Sequence, residues 1–147
     1  MSVYSLADPE RPVLLRRLDN DYPVINTVHD IYVVNDTVFA SCGGQGLYIY
    51  RYDRTSNHFV QLGSLTTYPD QGYNHSSFLD RTHTMLYMMD EVPDGMAVKV
   101  VDVTDIANPT VVDTFSSNPN ATPHNPYVLG DELFCAYYQD GVQAFDI

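Results

Sequence analysis

The sequence predicts an all-β fold made of a repeated four-stranded antiparallel unit, and three observations carry that prediction. Twelve Tyr and six Phe stand among 44% hydrophobic residues, a composition that suits strands rather than helices. The chain matches itself at a period of about 50 residues, the range of propeller and solenoid repeats. Short apolar runs are separated by residues suited to tight turns.

The self-match brings VYSLADPERP (Val3 to Pro12) onto IYRYDRTSNH (Ile49 to His58) and VVDVTDIANP (Val100 to Pro109), and the unit starts again at Ala144 with AFDI. The successive spacings are 46, 51 and 44 residues. A second landmark moves with the first: Tyr22-Pro23 and His29 recur as Tyr68-Pro69 and His75, and His124 follows 49 residues after His75.

The elements follow in order. Val3 to Leu6 and Val13 to Leu18 read as the last two strands of a unit. HDIYVV (His29 to Val34), TVFASC (Thr37 to Cys42), GLYIYRY (Gly46 to Tyr52) and FVQLGSL (Phe59 to Leu65) make one whole unit of four strands. Asn35-Asp36 and Gly130-Asp131 are two-residue turns that tolerate positive φ, and Gly43, Gly44 and Gly46 open the next turn. The second unit has Asp80 to Thr84 in place of a tight turn and an insertion, Glu91 to Gly95, before AVKVVDV. An insertion confined to one loop marks the variable rim of such an array. The third stops at its third strand, for thirteen strands in all. No stripe of helical period interrupts the pattern, so almost no helix is expected.

A four-stranded sheet with apolar residues on both faces buries them only by stacking on its neighbours, as propeller blades do. The expected architecture is a β-propeller-like array of about three four-stranded antiparallel blades in residues 1–147. Closed propellers hold about four to eight blades, so the array is expected to be incomplete as a single chain. It is then part of a longer protein, or self-associates to cover its sheet edges.

The formal net charge is −12 with only seven Lys and Arg, a field that repels phosphate backbones and anionic lipids. Nucleic acid is excluded as a partner on that ground. No apolar run approaches the roughly 20 residues of a spanning helix, so no membrane insertion is expected in this segment. MSVYSLADPERP has no signal-peptide pattern. Cys42 and Cys135 lie far apart without the spacing of a zinc or redox motif, and their disulfide state stays open.

The motifs VVDVTDIANP, HDIYVVNDTVF, Met89-Asp90-Glu91 and HNPYVLGDELFCAYYQDGVQAFDI, in this order and spacing, resemble the LVIVD-repeat proteins, among them the bacterial surface propellers called choice-of-anchor B. Arg51 in the middle copy departs from the pattern, standing where Asp102 and Asp146 stand in the later copies. The resemblance implies a propeller that is extracellular, at the cell surface or periplasmic, with no defined enzymatic activity.

The sharpest chemical constellation is His29, His75 and His124, each at the start of a unit's first strand, the innermost strand of a blade. Imidazole nitrogens suit zinc, copper, nickel or iron, and Asp30, Asp90 and Glu91 are the acids able to complete or orient such a site. The same recurrence is what a repeated structural histidine produces. Asp90, Glu91 and Asp94 pair carboxylates, without the twelve-residue loop of a calcium-binding hand. Tyr137 and Tyr138, with Asp140 and Gly141, offer an aromatic platform for a sugar or peptide, or packing between blades. No GxSxG, P-loop or HExxH motif is present, and Ser76-Ser77 after His75 is no nucleophile arrangement.

Two functions follow. The first is a non-catalytic propeller module, without a cofactor, that binds a protein, peptide or glycan ligand. The alternative is a metal-binding or metalloenzyme propeller in which His29, His75 and His124 hold a divalent or transition metal.

Overall fold

A computed structural model describes residues 1–147. Thirteen strands form: β1 (Ser2–Ser5), β2 (Val13–Arg17), β3 (Asp30–Val34), β4 (Thr37–Ser41), β5 (Leu47–Asp53), β6 (His58–Leu65), β7 (Asn74–Leu79), β8 (Met85–Asp90), β9 (Val98–Asp102), β10 (Thr110–Phe115), β11 (Pro123–Leu129), β12 (Glu132–Tyr137) and β13 (Gly141–Asp146). One 3-10 turn at Leu18–Asn20 is the only helical element.

The strands form four antiparallel sheets in chain order: β1-β2, β3-β4-β5-β6, β7-β8-β9-β10 and β11-β12-β13. Each four-stranded sheet is a meander, as the repeat predicts, and the fold is all-β with propeller-like blades. Turn chemistry sets the registers. Asn35 (φ 47°) and Asp36 (φ 63°) join β3 to β4 with Val34 opposite Thr37, the two positive φ angles of a type I′ turn. Where the second unit lacks that turn, the Asp80 carboxylate accepts hydrogen bonds from the amides of Thr84 (2.9 Å) and Met85 (3.0 Å), standing in for turn backbone.

Strand alternation divides the side chains between neighbouring cores. In β4, Phe39 faces one way, with Leu47, Ile49, Leu86, Met88 and Val101 in the core between the two four-stranded sheets. Val38 and Ala40 face the other way, with Tyr50 and Phe59 in the core shared with the first sheet. β8 repeats the division: Leu86 and Met88 enter one core, Tyr87 and Met89 the next, with Leu133 and Tyr137 of the last sheet. Each such buried aliphatic side chain stabilises the stack by roughly 1.5–3 kcal/mol. Stacking of sheet on sheet, rather than any one sheet, holds the fold together.

Cys42 and Cys135 are free and buried, in different cores, so they form no disulfide with each other. Burial pushes their thiols up to about 11 and about 12. No helix is long and apolar enough to cross a membrane.

The innermost strands of successive sheets lie beside one another, β3 against β7 and β7 against β11. A backbone bridge ties the first two sheets here: Gly43 N–H donates to the Asn74 carbonyl (3.0 Å) and Asn74 N–H to the Gly43 carbonyl (3.1 Å). Gly43 has φ 59°, and a Cβ at this position would lie 2.5 Å from the Tyr73 ring. Only glycine fits both requirements. The bridge fixes the residue before His75 against the first blade.

Candidate metal centre and adjoining groove

Three inner strands side by side bring the recurring histidines together as a row. The ring centroids of His29 and His75 are 4.5 Å apart, and those of His75 and His124 are 4.0 Å apart. Two β-bulges produce this aim. The pairing of β7 with β8 slips between Asn74 and Ser76, and that of β11 with β12 slips between Pro123 and Asn125. His75 and His124 are therefore the extra residues, released from the ladder and turned inward, a recurrent use of bulges near functional sites. His29 sits just before β3, its amide held by the Ser41 carbonyl at 2.8 Å. The Ser76 hydroxyl donates to the His124 carbonyl, locking β7 to β11 at the same level.

A tyrosine closes each end of the row. Tyr73 Oη lies 3.2 Å from His29 Nδ1 with the two rings edge to face. The Tyr138 ring packs 4.7 Å from that of His124, and its hydroxyl donates to Glu91 at 3.1 Å. Glu91 comes from the inserted loop. Its amide donates to the Tyr73 carbonyl (3.1 Å), while Tyr73 N–H donates to the Val92 carbonyl (2.8 Å). The loop is thus strapped beside β7, and Glu91 Oε2 reaches 3.8 Å from His75 Nε2 and 3.7 Å from His124 Nε2.

Ligand atoms of His29, His75 and Glu91 all lie within 4.8 Å of one another. Tetrahedral zinc with bonds near 2.1 Å sets its donors about 3.4 Å apart; His75 and Glu91 at 3.8 Å come within a few tenths of an ångström of that, while the full spread of the set, up to 4.8 Å, closes only with side-chain movements of about 1 Å. His75 is buried, and its Nδ1 has no hydrogen-bond partner. Burial first, then the neighbouring His124, holds the His75 imidazole below its ordinary value. The neutral ring that results is the form that ligates metal.

The arrangement differs from three converging histidines. Because β7 stands between β3 and β11, His75 lies between His29 and His124 in the row, and the compact donor set takes Glu91 in place of His124. Asp90, adjacent in sequence, belongs to a separate buried network. Its carboxylate accepts from Tyr68 Oη (3.1 Å) and the Gly72 amide (2.8 Å) and pairs with Lys99 Nζ at 3.1 Å. Asp90 is 0% exposed, so it is closed to an outside ligand, and Asp94 joins neither group. Tyr137 is buried between sheets, whereas Tyr138 is exposed. Asp140 accepts a hydrogen bond from the Ser117 hydroxyl (2.8 Å).

Beside the row opens a groove of about 380 Å³. His29, Asp30 and His75 stand at it with Tyr32, Ser77, Phe78 and Asn125. Sequence reasoning picked out Asp30 and missed the aromatics, although the signal is plain once aligned: Tyr32, Phe78 and Tyr127 each follow a row histidine by three residues. Their rings form a second tier, Tyr32 to Phe78 at 4.4 Å and Phe78 to Tyr127 at 5.3 Å. In comparisons with known proteins, no family model matches the chain and no curated protein matches it.

Proposed function

We propose that this chain is a non-catalytic binding module of propeller type that holds a divalent transition metal through His29, His75 and Glu91. One observation carries the reading: two imidazole nitrogens and a carboxylate oxygen from three separate segments lie within 4.8 Å of one another. Two nitrogens and one oxygen are a donor set that zinc accepts. Tyr73 Oη holds His29 through Nδ1, and the Tyr138 hydroxyl donates to Glu91 Oε2, the oxygen that faces His75.

The repeat motifs and their spacing support an LVIVD-type propeller, and with it a place outside the cytoplasm and a protein, peptide or glycan ligand. Self-association through sheet edges, or continuation in a longer chain, belongs to the same reading. Three protein ligands leave a fourth tetrahedral position, the pattern of catalytic zinc, so a metal-activated water is the second reading.

Calorimetric titration with zinc of the chelator-stripped protein tests the proposal. The expected result is one saturable site, weakened at least a hundredfold in His75→Ala and in Glu91→Gln. Binding that is absent, or unchanged from wild type in either variant, would remove it.

A further inference from the structure

We propose that the groove beside the histidine row binds a neutral sugar ring, resting it on Tyr32 and Phe78 and holding its hydroxyls with Asp30, Ser77 and Asn125. Its volume of about 380 Å³ lies at the lower end of the roughly 300–1,000 Å³ typical of small-ligand clefts, which suits one or two sugar rings.

The lining has the two kinds of surface that a pyranose presents. Its C–H faces carry partial positive charge and lie against the negative faces of aromatic rings, and Tyr32 and Phe78 line the groove with centroids 4.4 Å apart. Its hydroxyls need acceptors and two-way partners. The Asp30 carboxylate accepts from two hydroxyls, while the Asn125 amide and the Ser77 hydroxyl both donate and accept.

Ser77 supplies the independent sign that something is meant to bind here. It is 5% exposed, lines the groove, and its hydroxyl has no partner within the protein. His75 Nδ1 at the same groove is likewise buried and unpartnered. Buried polar groups are nearly always satisfied, and a rotation of the Ser77 side chain toward the groove it lines would give its hydroxyl a partner on a bound polyol. Asp30 at the edge and a net charge of −12 turn anionic ligands away, and the Ser77 and Asn125 donors favour a neutral polyol over a simple cation, which offers them no acceptor.

The groove shares His29 and His75 with the proposed metal centre but does not depend on the metal. The test is therefore run in both states, with EDTA and with zinc. Methyl glycosides of glucose, galactose, mannose and N-acetylglucosamine are titrated into the isotopically labelled protein and followed by NMR. For at least one glycoside the expected result is saturable shifts at Tyr32, Ser77, Phe78 and Asn125, with a Kd of about 1 mM or tighter, in EDTA as well as zinc. Asp30 is exposed, so Asp30→Ala should fold normally and bind at least tenfold more weakly; Asn125→Ala provides a second variant. The proposal is overturned by shifts that fail to saturate, shifts away from the groove, wild-type affinity in both variants, or tighter binding of tetramethylammonium than of every glycoside. Sugar binding in EDTA together with failure of the zinc titration removes the metal reading alone.

Discussion

Lys99 Nζ lies 3.1 Å from Asp90 Oδ2 with the two side chains 1% and 0% exposed, a buried ion pair joining the neighbouring strands β8 and β9. Asp90 precedes Glu91, and Asn74, whose side chain also donates to Asp90, precedes His75. The buried pair therefore anchors the residues adjacent to both of these proposed ligands.

Removing one partner of a buried pair leaves the other charge uncompensated, at a cost of about 3–5 kcal/mol. Lys99→Met is expected to destabilise the protein by that amount in urea unfolding. The double variant Lys99→Met with Asp90→Asn should recover much of the loss. A loss below 1 kcal/mol in the single variant would show that water reaches the pair.

His75 sets a pH dependence. Its folded imidazole is held below its ordinary value by burial and by His124, so the unfolded chain binds that proton more readily than the folded one. The sign follows: stability is whole above about pH 6.5, the ordinary imidazole range, and falls as pH drops below it. Urea midpoints measured from pH 8 to pH 5 should decline on the acid side, and His75→Asn should remove that component. Zinc affinity should decline over the same range, because protons and metal compete for the ring.

Gly43 is where the two whole blades are joined beside the site. Gly43→Ala forces a side chain into a φ of 59° and against the Tyr73 ring. The expected cost is about 1–3 kcal/mol, read as a lower urea midpoint. Since Tyr73 props His29, zinc affinity should fall in the same variant even where the protein is fully folded.

Much of this fold is legible in the amino-acid order. The run Thr37 to Cys42 alternates between two cores as period-2 patterning requires, and Asn35-Asp36 announces its turn through two residues able to hold positive φ. The histidines were visible as a recurrence, but their aim was not. The bulges at His75 and His124 depend on partner strands β8 and β12, which the local sequence does not display. Glu91 and Asp90 read alike as neighbouring acids at an inserted loop. What separates them is Lys99, nine residues beyond Asp90 on the adjacent strand, a lone cation within an otherwise apolar Ala-Val-Lys-Val-Val run. The aromatic tier of Tyr32, Phe78 and Tyr127 reads as core packing until the groove shows that Tyr32 and Phe78 also face open space.

Crystals grown with zinc and measured at its absorption edge test the metal centre most directly. The account predicts one strong anomalous peak about 2.1 Å from an imidazole nitrogen of His29, one of His75 and a carboxylate oxygen of Glu91. An empty map at that position, or a peak held by other residues, would contradict it.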